Sequence, residues 1–152
     1  MTGWRLGWLA ADAPVKQQLQ KVHQYSVVSV TSFSQTACIT ALESDVSEMR
    51  QSYRQRRDYV YQRLCKMGLP VNKPEGAFYV MMNMKGFLGK TMYGKVIESA
   101  EDFAQLFLEK GLVATVPCTA FAAPGFVRWS YATSLTEIDK GLDRLEAFIK
   151  NA

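Results

Sequence analysis

The chain has 152 residues, 48% of them hydrophobic and 21% charged, with a formal net charge of +4. This composition excludes a disordered chain, and the mild, dispersed charge predicts no nucleic-acid partner. Cys38, Cys65 and Cys118 fit neither a zinc site nor a secreted disulfide framework, His23 is the one histidine, and no apolar run matches a membrane span. We expect a globular, cytoplasmic protein with no metal site and no membrane contact.

The first segment, residues 2–11, predicts a strand. It is apolar, with two tryptophans and two glycines, and a glycine inside a strand often marks a close approach of backbone or ligand. Arg5 lies within this segment, and two interpretations are open. Its stem packs on a tryptophan at the rim of the fold, or its guanidinium binds a phosphate or carboxylate.

Two helices are predicted next. Pro14 suits the first turn of the first helix, and residues 31–43 place apolar side chains at helical spacing. A loop rich in serine and threonine, residues 26–34, joins the helices and supplies the cap of the second.

A longer helix follows. The segment Asp45-Val46-Ser47-Glu48 resembles a capping box and predicts a helix that runs to about Met67 and ends at Gly68. One of its faces is apolar and the other carries a row of arginines. That row is either a polyanion-binding surface or, as we expect, a solvated helix face. The apolar residues are Val46, Met49, Tyr53, Val60, Leu64 and Met67, and the arginines are Arg50, Arg54, Arg57 and Arg63.

The remaining chain alternates strands and helices between turns that contain glycine or proline. Two of the helices begin with capping motifs, Ser99-x-x-Asp102 and Ser134-x-x-Glu137. The predicted elements are a turn at 74–76, a strand over 77–83, a loop over 86–94, a helix over 99–110, a strand over 112–116, a loop over 117–124, a strand over 125–132 and a last helix from 134.

The strand at 125–132 carries a single charge, Arg128, among apolar and aromatic residues. A strand of this kind is usually half buried or more, so the arginine is held on a stiff platform and needs a partner. No acid is an obvious local partner. Two interpretations are open: a structural ion pair with a distant acid, or an anion receptor whose planar fork binds a small carboxylate.

The order of elements from Asp45 onward predicts the α+β class. Helix, strand, helix, strand, strand and helix suit a small antiparallel or mixed sheet covered by helices in a sandwich-like arrangement. Residues 1–44 do not show this alternation of helices and strands.

Three segments together resemble one family. They are Met1-Thr-Gly-Trp-Arg-Leu-Gly-Trp, Pro74-Glu-Gly-Ala-Phe-Tyr and Val127-Arg-Trp-Ser-Tyr-Ala-Thr-Ser. In this order and at these distances they are similar to the class I/II aminotransferases of the pyridoxal-phosphate fold type I group. The similar branch is that of the aspartate and aromatic amino acid aminotransferases, and the resemblance runs over the whole chain.

The resemblance implies roles for both arginines. Arg5 would bind the cofactor phosphate and Arg128 the α-carboxylate of the substrate. Residues 1–44 would be the C-terminal remnant of the large cofactor-binding domain, and residues 45–152 the small C-terminal domain. The full-length protein would bind pyridoxal phosphate, form a homodimer and move an amino group from an aromatic amino acid or aspartate to a 2-oxo acid.

The chain also departs from the family pattern. In the family, the Schiff-base lysine lies eight residues before the phosphate-binding arginine, a position that would precede Met1. The resemblance therefore implies no catalytic residue in this chain, no cofactor bound by the chain alone, no activity, and a missing N-terminal part as its partner. Ser29-Val30 stands where the family loop carries Asn-Pro. We expect Lys16, Lys21 and Lys66 to be solvated rather than catalytic.

Two further functions stay open. The chain could be a stand-alone carboxylate-binding or regulatory module with the same small-domain fold. It could also be an inactive fragment that self-associates through an exposed strand of the large domain.

Overall fold

The computed structural model describes residues 2–152 and divides into two compact units, Met1–Val46 and Ser47–Ala152. Helices and a small antiparallel sheet make up the described structure, which confirms the α+β class. None of the described helices combines the length and the apolar character that crossing a bilayer requires.

The first unit is helical. A 3₁₀ turn at Thr2–Trp4 leads through an extended segment to α1 (Ala13–Val27) and α2 (Ser32–Glu43). The strand predicted over residues 2–11 is wrong, because a strand needs a neighbour for its backbone hydrogen bonds and none of the described strands pairs with this segment. Arg5 also leaves the extended region with a φ of 55°. The connection between the helices is shorter than predicted, since α1 continues to Val27.

The first unit has almost no core of its own. Among residues 3–46, Ser34 alone is buried. Its large apolar side chains face outward: Trp8, Tyr25 and Leu42 expose 85%, 91% and 76% of their surfaces. Burial of such side chains is the main driving force of folding. The helices of this unit therefore lack the packing that stabilises helices in most domains.

The second unit contains three helices and five strands. Its elements are α3 (Ser47–Lys66), β1 (Tyr79–Asn83), β2 (Thr91–Met92), β3 (Lys95–Val96), α4 (Ala100–Gly111), β4 (Val116–Pro117), β5 (Phe126–Ser130) and α5 (Leu135–Lys150).

The main sheet has the order β1-β5-β4, and both pairings are antiparallel. The central strand is therefore the last in the chain. In this register Met81 and Val116 lie opposite Arg128 on its two sides. Arg128 thus occupies the centre of the sheet rather than an edge.

A separate hairpin, β2–β3, overlaps the loop predicted over 86–94. Its two-residue turn is made by Tyr93 and Gly94, with φ values of 50° and 80°. Positive φ at both central residues is the type I′ geometry that matches the twist of a hairpin. The sequence signal is weak because tyrosine rarely adopts this conformation.

Two strands are shorter than predicted because their first residues have left-handed backbone. Ala77, with φ of 58°, interrupts the extended chain, so β1 begins at Tyr79. Leu112, with φ of 55°, terminates α4, and the strand predicted over 112–116 begins only at Val116.

The core lies between one face of the sheet and the helices. Along β5 the side chains alternate, so Val127 and Trp129 are buried in the core while Arg128 points to the other face. The same alternation in β1 buries Val80 and Met82. The helices contribute the remaining large buried side chains, which include Val60, Leu64, Phe103, Phe107, Ile138, Leu142, Leu145 and Phe148.

The arginine face of α3 is only partly solvated, so the prediction is wrong for two of its four arginines. Arg63 donates to Asp139 at 2.7 Å and to Asp143 at 2.6 Å, and its side chain is 19% exposed. This cluster joins α3 to α5. Arg57 pairs with Asp58 at 2.8 Å. Fixed partners of this kind leave neither arginine available to a polyanion.

The two capping motifs are confirmed. Ser99 Oγ accepts a hydrogen bond from the Asp102 amide at 3.1 Å, and Ser134 Oγ accepts one from the Glu137 amide at 3.2 Å. The long helix α3 begins at Ser47, two residues after Asp45.

A chain that begins at Ser44 and ends at Ala152 is expected to fold on its own. The reason is that every buried hydrophobic side chain among the described residues lies between Val60 and Phe148. Circular dichroism during urea unfolding should show one cooperative transition with a midpoint close to that of the full chain. A broad, non-cooperative loss of signal would contradict this prediction.

Substitution Ser134→Ala is expected to lower the free energy of unfolding by about 1 kcal/mol, since it removes the acceptor that caps α5. Urea denaturation followed by circular dichroism measures the change. The matched control is Thr133→Ala, which truncates the exposed neighbour outside the helix. Equal losses in both variants would show that the cap does not stabilise α5.

Candidate functional site

Arg128 lies against two aromatic rings in the second unit. Its guanidinium carbon is 4.2 Å from the centroid of the Tyr79 ring and 4.5 Å from that of the Phe121 ring. We call these two residues the aromatic pair. Each ring attracts a cation through its negative face by about 0.5–2 kcal/mol, with the larger values where water is excluded.

Arg128 has no acidic partner within the described part of the chain. No carboxylate of residues 2–152 forms an ion pair with it, and its Nε is buried without a hydrogen-bond partner. An unpaired buried donor costs roughly 1–3 kcal/mol, a cost that two cation–π contacts can offset. The distant-acid interpretation of this arginine therefore finds no support among the described residues.

Phe121 is placed by a short, hydrogen-bonded loop. A 3₁₀ turn at Thr119–Phe121 winds around the backbone of Cys118, whose carbonyl accepts bonds from the amides of Phe121 at 2.9 Å and Ala123 at 3.1 Å. The amide of Cys118 donates to the Phe126 carbonyl at 2.9 Å. The loop is thus tied directly to the start of β5, and Phe121 remains 55% exposed.

Tyr79 is placed by β1 and by the segment before it. Tyr131, just beyond β5, donates from its hydroxyl to the Ala77 carbonyl and from its amide to the Phe78 carbonyl, both at 3.0 Å. Arg57 of α3 reaches the Pro74 carbonyl at 3.4 Å. The Pro-Glu-Gly-Ala-Phe-Tyr segment is therefore anchored from both sides before it enters the sheet.

Two other polar groups near this site stay neutral at physiological pH. Burial raises the pKa of the Tyr131 hydroxyl, so it remains a donor to Ala77. Burial also raises the pKa of the Cys118 thiol, an effect that the positive charge of Arg128 only partly opposes. A buried, protonated thiol is a poor nucleophile.

Arg5 lies in the first unit, beside a concavity of about 450 Å³. Its polar lining residues are Arg5, Thr31 and Ser34, and Gly3, Trp4 and Phe33 complete the lining. A cation with nearby hydroxyl donors suits a phosphate oxygen. Arg5 itself is exposed rather than enclosed in an apolar strand.

The lysines singled out in the sequence do not line either site. Lys16, Lys21 and Lys66 are exposed, as expected for solvated side chains. Within the described residues, no group of histidine, cysteine or acidic side chains is arranged to hold a metal ion.

Sequence reasoning found both arginines but missed the residues around them. The aromatic pair gave a local signal, since Tyr79 closes one of the motifs and Phe121 lies in the loop bounded by Pro117 and Pro124. Their contact with Arg128 depends on strand pairing and loop geometry, which no spacing rule supplies. Thr31 and Ser34 lie where the predicted loop over 26–34 overlaps the predicted helix over 31–43, and neither prediction marks them as site residues.

Comparisons with known proteins agree on one family. The family described as "Aminotransferase class I and II" matches residues 1–145. A protein named "Probable N-acetyl-LL-diaminopimelate aminotransferase" from Bacillus subtilis is 43% identical over 154 residues, covering 98% of this chain and 37% of the relative.

Solved structures give the same result. The aspartate aminotransferase of Thermotoga maritima is 37% identical with a TM-score of 0.81, over 99% of this chain and 37% of that protein. The aromatic aminotransferase of Pyrococcus horikoshii is 36% identical with a TM-score of 0.80, over 99% and 40%. The chain therefore spans less than half the length of each of these proteins.

Proposed function

Because this chain belongs to the class I and II aminotransferases, we propose that it is the C-terminal part of an enzyme that uses pyridoxal phosphate to move an amino group from an L-amino acid to a 2-oxo acid. The observation that carries the proposal is Arg128, a cation held by aromatic rings with no acid among the described residues to neutralise it. The amino donor would be aspartate or an aromatic amino acid, in keeping with the names of the relatives from Thermotoga and Pyrococcus.

We assign residues 1–44 to the end of the large cofactor-binding domain and residues 45–152 to the small domain. The division into compact units at Val46 and Ser47 supports this boundary. The exposed apolar side chains of the first unit support it as well, because a domain fragment leaves its core residues without neighbours. In the proposed enzyme the rest of the large domain and a second subunit cover them, and the homodimer works in the cytoplasm.

In this enzyme Arg128 binds the α-carboxylate of the substrate. Its planar fork matches the two carboxylate oxygens, and the centre of the sheet gives it a stiff base. Both the amino acid and the 2-oxo acid carry this carboxylate, so the same arginine orients both substrates. Fixing the carboxylate aims the neighbouring carbon, where a proton leaves and returns, at the reacting groups.

The residues of the first unit fit the phosphate of pyridoxal phosphate. Arg5 supplies the positive charge, and the hydroxyl groups of Thr31 and Ser34 are suitable donors to its oxygens. When bound, the cofactor supplies an electron sink that stabilises the carbon from which the proton is lost. Among the described residues no lysine lines this concavity, so the residue that carries the cofactor covalently belongs, in our proposal, to a part of the enzyme outside this chain, and the chain alone is inactive.

A second candidate is a carboxylate-binding module. It is favoured by the position of Arg128 and the aromatic pair inside one unit that has its own hydrophobic core. Such a module would bind 2-oxo acids without any cofactor. Carboxylate binding by the chain is common to both candidates, whereas cofactor dependence separates them.

Substitution Arg128→Lys is expected to weaken binding of 2-oxoglutarate to the chain more than tenfold, a loss of roughly 1.5–3 kcal/mol, because an ammonium group cannot make two parallel hydrogen bonds. Shifts of the β5 backbone amides in NMR titrations measure the affinity. The matched control is Arg144→Lys on the exposed side of α5. If both variants bind as tightly as the unmodified chain, Arg128 is not the receptor.

Incubation of the chain with pyridoxal phosphate and borohydride is expected to label no single lysine stoichiometrically. The reason is that Lys16, Lys21 and Lys66 are exposed and that, among the described residues, no lysine lines the concavity beside Arg5. Peptide mapping by mass spectrometry should show weak labelling spread over several lysines. One fully labelled lysine would instead show that this chain holds the cofactor covalently by itself.

A further inference from the structure

We propose that Tyr79 and Phe121 are positioning residues that orient the Arg128 guanidinium for the carboxylate and take the place of an acidic partner. This inference rests on the proposed role of Arg128. It assigns a function to two aromatic side chains whose rings contact the Arg128 guanidinium by cation–π interactions rather than by hydrogen bonds.

An arginine side chain has four rotatable bonds, and holding it in one orientation requires specific contacts. For Arg128, among the described residues, those contacts are not ion pairs, since no carboxylate pairs with it. Nor do they include a hydrogen bond at Nε, which is buried without a partner. Both rings lie within 4.5 Å of the guanidinium carbon. The aromatic pair is therefore the contact that fixes the orientation.

Aromatic rings suit this task better than an acid. A carboxylate partner would neutralise the cation and occupy the same N–H groups that a substrate carboxylate needs. A ring face attracts the cation by its quadrupole and supplies no competing acceptor. The aromatic pair thus keeps the arginine ordered while its charge and terminal N–H groups stay available.

The two rings are held by independent elements. Tyr79 belongs to β1, which pairs with β5 over five residues. Phe121 belongs to the loop tied to Cys118 and Phe126, and it is 55% exposed. Substitution of Phe121 therefore removes one ring at the surface without opening the core, which separates the positioning role from a general role in folding.

The test uses two pairs of matched variants in the full chain. Phe121→Leu and Tyr79→Leu remove a ring but keep an apolar side chain, whereas Phe121→Tyr and Tyr79→Phe keep the ring. Two quantities are measured for each: ¹⁵N relaxation of the Arg128 Nε–Hε group, assigned by its loss in Arg128→Lys, and the affinity for 2-oxoglutarate by NMR titration. Thermal melts verify that each variant is folded.

The leucine variants are expected to lower the order parameter of the Arg128 Nε–Hε group to below about 0.6 and to weaken 2-oxoglutarate binding about fivefold, the scale of one cation–π contact. The ring-preserving variants should retain both properties. If Tyr79→Leu does not fold, the Phe121 pair decides alone. An unchanged order parameter in Phe121→Leu, or equal losses in Phe121→Leu and Phe121→Tyr, overturns the inference.

The same experiment separates this inference from the function on which it rests. If the unmodified chain binds no 2-oxoglutarate while the order parameter falls only in the leucine variants, the proposed receptor is refuted and the positioning role stands. If the unmodified chain and all four variants bind equally well with unchanged order, the receptor stands and the positioning role is refuted.

Discussion

The antiparallel pairing of β5 with β1 on one side and β4 on the other is the constraint on which the second unit depends. A strand presents alternate residues to opposite faces, so the pairing that buries Val127 and Trp129 also brings Arg128 out on the other face. A shift of one residue in register would exchange these roles and place a charge in the core. The large apolar neighbours of Arg128 thus fix its position, since any other register would bury the cation.

Given this position, the surroundings of Arg128 follow from loops at both ends of the sheet. The segment from Pro74 to Phe78 is tied to Tyr131 and Arg57, and the Phe121 loop is tied to the start of β5. Among the described residues, neither loop contributes an acid that pairs with Arg128. At the resulting site two aromatic rings contact the Arg128 guanidinium, while its Nε has no hydrogen-bond partner. The hydrogen-bonding capacity of this arginine is therefore not fully used. In the proposed function, the carboxylate of the substrate supplies the negative charge that no described residue brings to Arg128.

Features with a local cause could be predicted from the sequence. The caps at Ser99 and Ser134 depend on residues three positions apart, and the helices they open were found close to their true bounds. Features set by distant contacts or unusual backbone were missed. The segment at residues 2–11 has the apolar composition of a strand but no partner strand, and Tyr93 takes a left-handed conformation that its residue type rarely adopts. Arg63 illustrates the same limit, because its acidic partners lie on α5, 76 and 80 residues away in the chain.

Arg5 and Arg128 belong to two units that differ in how large a hydrophobic core they have. Arg128 belongs to a unit whose core includes buried side chains from all three helices and from both long strands. Arg5 belongs to a unit in which Trp8, Tyr25 and Leu42 are mostly exposed and Ser34 alone is buried among residues 3–46. Burial of a large apolar side chain contributes roughly 1.5–3 kcal/mol, so covering these residues with further chain would supply much of the stability that the first unit lacks. On our proposal, the carboxylate site therefore lies in the unit that has its own hydrophobic core, whereas the phosphate site lies in the unit that has almost none.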